Sequence, residues 1–268
     1  MPTRGLMPEG AVSAHAKLTL ITVDVGNNPS RIRFQIYLKG LEDQIEMKTP
    51  ADYGGLNGSE FRRINPQGKI PVLLLPDGTS FYESRVISSY LADRFSDVGP
   101  SLRASTAEKR ALANLINSVH DMYIASPNSS NPAVTATQGC MYKPVEQIDA
   151  PTRAAKVAEL DKQLGVLEGL VVGPYCVGEE LTEADLALYP TFIFLQTMLP
   201  KVFGWPPVLD SRPKLHAWFV EVDKLPAAQR VRSEVAAALD GWVKGGRFEP
   251  IIAQVRSAPS LSWLPGSP

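Results

Sequence analysis

The order of strand-like and helix-like segments most constrains what this chain can fold into. Residues 18–25 (LTLITVDV) are apolar and β-branched, as in a strand that is buried on both faces. A helical pattern follows, and the alternating segment around Ile45 and Met47 predicts a second strand. Because a β-α-β unit joins parallel strands by a right-handed crossover, these segments predict the first half of an α/β sheet.

The helix boundaries carry their own signals. Asn27 precedes Asn28 and Pro29, so we expect an asparagine N-cap with the proline at the first helical position. Gly40 is expected to close this helix in a left-handed conformation. A shorter helix over residues 60–64 is expected to stop before Pro66.

A hairpin pattern completes the first half of the chain. Residues 70–75 predict a strand, Asp77-Gly78 a tight turn and residues 79–82 the returning strand, followed by a helix over about 84–95. The hairpin adds antiparallel strands to the parallel pair. Residues 17–96 are therefore expected to form a mixed four-stranded sheet covered by helices.

Strand signals vanish after a linker at residues 97–104. The length of 268 residues favours two domains, and residues 105–244 predict an all-α bundle. Thr182 and Asp185 have the spacing of a capping box. We expect a flexible leader at 1–16, a long functional or mobile loop at 126–151 and an extended tail at 245–268. The helical patterns cover about 105–125, 151–171, 183–198, 212–224 and 227–243.

Composition and charge exclude several classes of function. The net charge is −1 without a basic stripe, which argues against nucleic acid or an anionic membrane surface as partner. No stretch of the sequence approaches the run of about 20 apolar residues that spans a bilayer. Cys140 and Cys176 form no CxxC pair, and with 3 His in the chain we expect no metal site. A reducing, cytoplasmic location is expected, with organelle targeting by the leader left open.

Two segments resemble the cytosolic glutathione S-transferase family. Residues 65–95 (NPQGKIPVLLLPDGTSFYESRVISSYLADRF) resemble the second half of its thioredoxin-like domain. Residues 181–190 (LTEADLALYP) resemble the capping box of the core helix in its helical domain. The resemblance covers about residues 18–245. It implies a thioredoxin-like N-terminal domain with a cis-proline, an all-α C-terminal domain, a homodimer, and glutathione as co-substrate for a small hydrophobic or electrophilic molecule in detoxification.

The resemblance assigns Ile70 and Pro71 to glutathione binding. A proline within a strand lacks the N–H of the ladder. In the family this proline is cis, which implies that the backbone N–H and C=O of Ile70 pair with the cysteinyl part of glutathione.

Four polar residues complete the glutathione site that the resemblance implies. Ser84, as a helix N-cap, would receive the γ-glutamyl carboxylate, because helix N-termini attract anions. Glu83 would pair with the α-ammonium. Lys69, and more weakly Gln67, would reach the glycine carboxylate. The role of Arg85 stays open.

Three interpretations compete for the residue that activates the thiol. The family places a Tyr, Ser or Cys after the first strand, whereas this chain has no Tyr before Tyr37 and no Cys before Cys140. One interpretation is that an amide N–H of Asn27 or Asn28 donates to the thiolate. A second is that the Ser30 hydroxyl donates, and a third is that the asparagines only turn the chain. Without a cysteine here, thiol-transfer chemistry is not expected.

The acceptor substrate is expected to bind where the helical domain faces the thiol. The segment NSVHDMYIA offers His120, Met122 and Tyr123, although a lone helical histidine is more often structural. The tryptophans that could line the pocket or pack the tail are Trp205, Trp242 and Trp263.

The leading hypothesis is a glutathione S-transferase. The alternatives are a non-catalytic binding or scaffold protein of the same fold and a glutathione-dependent isomerase. The isomerase alternative is weakened because the Ser-Ser-Cys stretch of the zeta class is missing. Fold alone does not decide between them.

Overall fold

The computed structural model describes residues 17–125 and 138–266. The predicted leader at 1–16 and the first part of the predicted 126–151 loop lie outside the described residues.

The first domain contains the predicted mixed sheet. Its strands lie in the order β2-β1-β3-β4, with β1 parallel to β2 and β3 antiparallel to both β1 and β4. The fold class expected from the sequence is therefore confirmed. The elements are β1 (Leu18–Ile21), α1 (Asn27–Lys39), β2 (Ile45–Lys48), a 3-10 turn (Pro50–Tyr53), α2 (Ser59–Ile64), β3 (Val72–Leu74), β4 (Ser80–Tyr82) and α3 (Ser84–Arg94).

Strand β1 ends four residues earlier than predicted, because a buried arginine holds the following segment as a loop. The Arg33 guanidinium donates to the Thr22 hydroxyl at 3.1 Å and to the Asp24 carbonyl at 3.0 Å. Arg33 itself is 1% exposed. These contacts bring the loop back over the first turns of α1 and set where the helix begins.

Two boundary predictions for α1 have different outcomes. Gly40 closes the helix with φ 65°, as expected. The prediction of an asparagine N-cap followed by proline at the first helical position is wrong, since Gly26 is the N-cap, Asn27 is the first helical residue and Pro29 is the third. The Asn27 side chain is instead turned towards the helical domain. The Ile70–Pro71 bond is cis, as expected.

The second half of the chain is helical in the part that the structure describes. Helix α4 continues through a π-helical turn, and a 3-10 turn precedes α5. The elements are α4 (Ala107–Val119), the π-helical turn (His120–Ala125), the 3-10 turn (Gln138–Met141), α5 (Ala150–Leu170), α6 (Glu183–Phe203), α7 (Pro213–Asp223), α8 (Pro226–Lys244) and α9 (Glu249–Ser257).

The prediction of an extended tail is wrong over residues 249–257, which form helix α9. Phe248 and Ile251 are buried on its inner side, and Gln254 donates to the Ile148 carbonyl at 3.0 Å. Trp263 then packs on Phe203, with ring centroids 5.9 Å apart. The apolar positions of the tail therefore fold back onto the bundle.

Helix α6 lies at the centre of the helical domain. Its predicted capping box is present, with Asp185 accepting from the backbone N–H of Thr182 at 2.8 Å. By length and composition α6 could cross a membrane, which corrects the expectation that no segment approaches that composition. In the fold, 78% of the most apolar 18-residue stretch of α6 is buried inside the protein.

Helix α1 joins the two halves of the molecule. The Phe34 ring lies 5.6 Å from the ring of Tyr189 on α6. Arg33 and Tyr37 both donate to Glu234 on α8, at 2.9 Å and 2.8 Å. These contacts fix the middle and the C-terminal half of α1 against the helical domain.

Candidate functional site

A cleft of about 980 Å³ opens where the start of α1 faces the helical domain. The first domain contributes Gly26 to Pro29, Gln67 to Pro71, Glu83 and Ser84. The helical domain contributes Ala125, Gln138, Tyr142 to Pro144, Gln147, Phe194, Trp242 and Arg247.

The residues that the sequence assigned to glutathione all line this cleft. They are Gln67, Lys69, Ile70, Pro71, Glu83 and Ser84. A residue that the sequence analysis missed, Asn65, shapes their loop. Asn65 is 1% exposed; its amide donates to the Lys69 carbonyl at 2.8 Å, and its Oδ1 accepts from the Gln67 N–H at 3.0 Å.

The turn into α3 holds a non-glycine residue with a positive φ. Glu83 has φ 70° and ψ 114°, and it is the N-cap position, whereas Ser84 is the first helical residue. The prediction of Ser84 as N-cap is corrected by one position. Such backbone conformations cost about 1–3 kcal/mol and cluster at ligand sites. The free N–H groups of the first turn of α3 lie beside the Ser84 hydroxyl, which is suited to a carboxylate.

Asn27 is engaged through both hydrogens of its amide. Its Nδ2 donates to Gln138 Oε1 at 2.8 Å and to the Thr191 hydroxyl oxygen at 3.1 Å. The Thr191 hydroxyl also shares a 2.6 Å hydrogen bond with His120 Nε2, and His120 Nδ1 lies 2.8 Å from Asp121. The Asn27 side chain thus has no further N–H to offer a ligand, and its contacts fix the start of α1.

Asn28 and Ser30 have opposite environments. The Asn28 side chain lines the cleft, with Oδ1 3.5 Å from the Ser84 hydroxyl, and its Nδ2 has no partner among the described residues. Ser30 is fully buried, accepts from Arg33 Nη2 at 2.9 Å and does not line the cleft. The prediction of Ser30 as a thiol donor is therefore corrected, because the helix turns its hydroxyl towards the arginine.

The predicted acceptor residues do not line the cleft. His120 is 1% exposed because the Thr191 and Asp121 contacts hold it in the interior. Met122 and Tyr123 point outward, with 64% and 47% of their surface exposed. Of the π-helical turn, only Ala125 reaches the cleft.

A different set of residues forms the helical-domain wall. Tyr142, Lys143, Phe194, Trp242 and Arg247 line it. Only Trp242 was among the sequence candidates. The other two candidate tryptophans pack the C-terminal segment, where Trp205 Nε1 donates to the Trp263 carbonyl at 2.5 Å.

The charges that line the cleft are mostly positive. The lining contains three basic side chains, Lys69, Lys143 and Arg247, and one carboxylate, that of Glu83. Burial lowers the pKa of Lys143, and the nearby charges of Lys69 and Lys156 lower it further. An anion in the cleft would therefore be stabilised by these groups.

Neither cysteine lines the cleft. Cys140 and Cys176 are fully buried as free thiols, and burial raises the pKa of Cys140 to about 12. Residues 17–125 and 138–266 contain no cluster of three His, Cys, Asp or Glu side chains that could hold a metal ion.

Comparison with known proteins supports the fold and identifies the family. Family profiles match at residues 27–94 (Glutathione S-transferase, N-terminal domain) and 150–220 (Glutathione S-transferase, C-terminal domain). A glutathione S-transferase of Hyoscyamus muticus is 30% identical over 174 residues, which cover 62% of this chain and 75% of that protein. Glutathione S-transferase F11 of Arabidopsis thaliana is 28% identical over 226 residues, which cover 78% and 94% of the two chains.

A solved structure shows the same fold. The glutathione S-transferase of Methylobacterium radiotolerans, in complex with glutathione sulfonate, superposes with a TM-score of 0.62 at 22% identity. The match covers 81% of this chain and 94% of the bacterial one. With both domain profiles, the curated relatives and the two-domain architecture in agreement, this chain belongs to the glutathione S-transferase family.

Proposed function

We propose that the protein is an enzyme that binds glutathione in this cleft and activates its thiol for attack on an electrophilic or reducible small molecule. The observation that carries the proposal is the first-domain wall. It presents the backbone of Ile70, a helix N-terminus at Ser84, the carboxylate of Glu83 and the Asn28 Nδ2 group, which has no partner among the described residues, in one cleft.

The wall matches glutathione group by group. The Ser84 hydroxyl and the first N–H groups of α3 suit the γ-glutamyl carboxylate. Glu83 suits the α-ammonium, and the Ile70 backbone suits the cysteinyl peptide. Lys69 and Gln67, on the same wall, suit the glycine carboxylate.

Thiol activation falls to Asn28 and the start of α1 in this proposal. The thiolate is the nucleophile, and a free thiol with a pKa near 8.5 is mostly protonated at neutral pH. The Asn28 Nδ2 group can donate to the sulfur, and the N-terminal end of the 13-residue helix α1 favours a negative charge. Asn27 acts as a positioning residue, because its donors are occupied.

Two alternative functions named in the sequence analysis would use the same cleft. A non-catalytic binding protein would use the same wall and leave the thiol pKa unchanged. An isomerase would use the same thiolate, which adds to its substrate and is released again. Thiol-transfer chemistry is not proposed, because no cysteine side chain reaches the described part of the cleft.

Glutathione affinity tests the binding step. Ser84→Ala removes a hydrogen bond to a charged group, which is worth about 1.5–3 kcal/mol, so calorimetry should show a dissociation constant raised about 10- to 100-fold. Glu83→Gln should weaken binding similarly. Ser89→Ala, on the same helix but outside the cleft, is the matched control. Unchanged glutathione affinity in both Ser84→Ala and Glu83→Gln would refute the proposed glutathione-binding site.

We also propose a cytoplasmic homodimer. Val86 on α3, Leu115 on α4 and Met122 beyond it are exposed apolar residues, at 49%, 49% and 64%. Arg85 holds the two helices together by donating to Asn114 Oδ1 at 2.8 Å. A second copy would cover this face. In analytical ultracentrifugation, Leu115→Glu should yield monomers and the exposed Val172→Glu should not; a dimer in both would place the interface elsewhere.

A further inference from the structure

We propose that the helical-domain wall of the cleft is a subsite for an organic acid, so that the second substrate carries a flat apolar body and a carboxylate. The subsite consists of Tyr142, Lys143, Phe194, Trp242 and Arg247. The inference rests on the proposed function, because it concerns the partner of the glutathione thiol.

The charge balance of the cleft leaves two cations unused by glutathione. Glutathione carries two carboxylates and one ammonium besides its thiol. Ser84 with the α3 N-terminus, and Lys69, suit the carboxylates, and Glu83 suits the ammonium. Lys143 and Arg247 remain, and within 17–125 and 138–266 neither forms an ion pair with a carboxylate. Residues 126–137 contain no Asp or Glu.

Lys143 has the surroundings of an anion-binding group. It is 9% exposed, and its ammonium has no hydrogen-bond partner in the described part of the chain. Burial first, and the charges of Lys69 and Lys156 next, lower its pKa. A cation that is partly removed from water beside two like charges is costly, and a bound carboxylate would offset that cost.

The segment that carries Lys143 is held rigidly from behind. Arg153 is fully buried and donates to the Lys143 carbonyl at 3.0 Å. It also donates to the Cys140 carbonyl, and its Nε donates to Gln254 Oε1 on α9 at 2.7 Å. An arginine whose described partners are loop carbonyls and an amide positions the loop, so the subsite is pre-formed.

The aromatic residues define the shape of the ligand. The Arg247 guanidinium lies 4.0 Å from the centroid of the Trp242 ring, and the Tyr142 ring lies 5.9 Å from the same indole. A guanidinium stacked on an indole keeps its N–H edge available for a carboxylate. Phe194 adds an apolar floor, as it is only 2% exposed. The combination suits an aromatic or similarly flat acid.

Binding of 3,5-dinitrobenzoate against its neutral analogue 3,5-dinitrobenzamide tests the subsite without catalysis. With glutathione saturating, tryptophan quenching should show tighter binding of the benzoate. Lys143→Met should raise its dissociation constant about tenfold and leave that of the amide unchanged. Lys162→Met removes the same charge on the exposed face of α5 and should change neither. Equal losses for both ligands in Lys143→Met would overturn the proposal.

Turnover of 4-chloro-3,5-dinitrobenzoate and its amide gives the second measurement. The glutathione thiolate forms a carbon–sulfur bond at the chlorinated ring carbon, and chloride leaves with the bonding pair. Lys143→Met should lower kcat/KM for the benzoate about tenfold relative to the amide, with KM for glutathione unchanged. A raised KM for glutathione with unchanged benzoate selectivity would assign Lys143 to the glycine carboxylate and refute the subsite.

The two proposals fail in different ways. Selective benzoate binding without a lowered thiol pKa would refute the enzymatic function and leave the subsite standing. Normal conjugation of the amide with no preference for the benzoate would refute only the subsite.

Discussion

Replacement of Asn28 by alanine should raise the pKa of bound glutathione's thiol. Asn28 Nδ2 is the one amide donor of the Asn27-Asn28 pair that lacks a partner among the described residues, since both hydrogens of Asn27 are occupied. A hydrogen bond to the sulfur stabilises the thiolate over the thiol. Its removal therefore moves the thiol pKa upward, towards that of free glutathione.

The size of the shift follows from the kind of bond. A hydrogen bond to a charged acceptor contributes about 1.5–3 kcal/mol, and one pKa unit corresponds to about 1.4 kcal/mol, so Asn28→Ala should raise the thiol pKa by about 1–2 units. Asn28→Asp keeps the shape, removes the donor and adds a negative charge. It should raise the thiol pKa further than alanine does.

Ultraviolet absorbance of the thiolate, titrated against pH with glutathione saturating, measures the pKa directly. Ser30→Ala is the matched control, because Ser30 contacts Arg33 and lies outside the cleft. A thiol pKa equal to that of the unmodified protein in Asn28→Ala would refute the assignment. An equally large rise in Ser30→Ala would show that changes around α1 act on the thiol indirectly.

Three further predictions concern the framework of the site. Burial would raise the pKa of Asp121, but the hydrogen bond from His120 and the charge of Arg31 outweigh it and lower the pKa. The stability that this carboxylate contributes is thus present above about pH 4 and lost as pH falls further. In urea titrations, Asp121→Asn should be less stable by about 2 kcal/mol at pH 7, with the difference shrinking below pH 4; a constant difference would contradict this linkage. Arg153→Met should destabilise the fold by about 3 kcal/mol, since it leaves loop carbonyls without a donor. It should also weaken 3,5-dinitrobenzoate binding more than glutathione binding. Equal losses of affinity for the two ligands would make the role of Arg153 purely structural. Asp185→Ala should cost at least about 3 kcal/mol in the same urea assay, because the buried Trp218 N–H at 2.9 Å loses its acceptor; a cost below about 1 kcal/mol would show that water replaces the carboxylate.

The residues of the first-domain wall were predictable because their signals are local. The hairpin turn, the proline within the strand and the Glu83-Ser84 step before a helix lie within twenty residues of one another. Periodicity and turn chemistry predict the strand, the hairpin and the helix of this segment, and the resemblance to the family assigns its residues to one site. The mixed character of the sheet followed from the parallel pair and the hairpin, whereas the strand order β2-β1-β3-β4 was not predicted.

The opposite wall was not predictable, because it depends on contacts between distant segments. Asn27 and Gln138 are 111 positions apart, and Asn27 and Thr191 are 164 apart. The segment with Tyr142 and Lys143 has no periodic pattern that would mark it as a pocket wall. The choice of Met122 and Tyr123 failed because the sequence placed them on the first helix of the second domain without showing which side faces the cleft.

The two adjacent asparagines illustrate how a thiol site can be built without a hydroxyl or thiol side chain. Side chains of neighbouring helical residues diverge, so Asn27 and Asn28 cannot serve the same group. Asn27 reaches Thr191 on α6 and is thereby connected to His120 and Asp121 in the interior. That leaves Asn28 facing the cleft on a helix start that the helical domain holds in place. The orientation of the proposed thiol donor, Asn28, is thus set by contacts with the second domain, although Asn28 and the first-domain wall of the cleft both belong to the first domain.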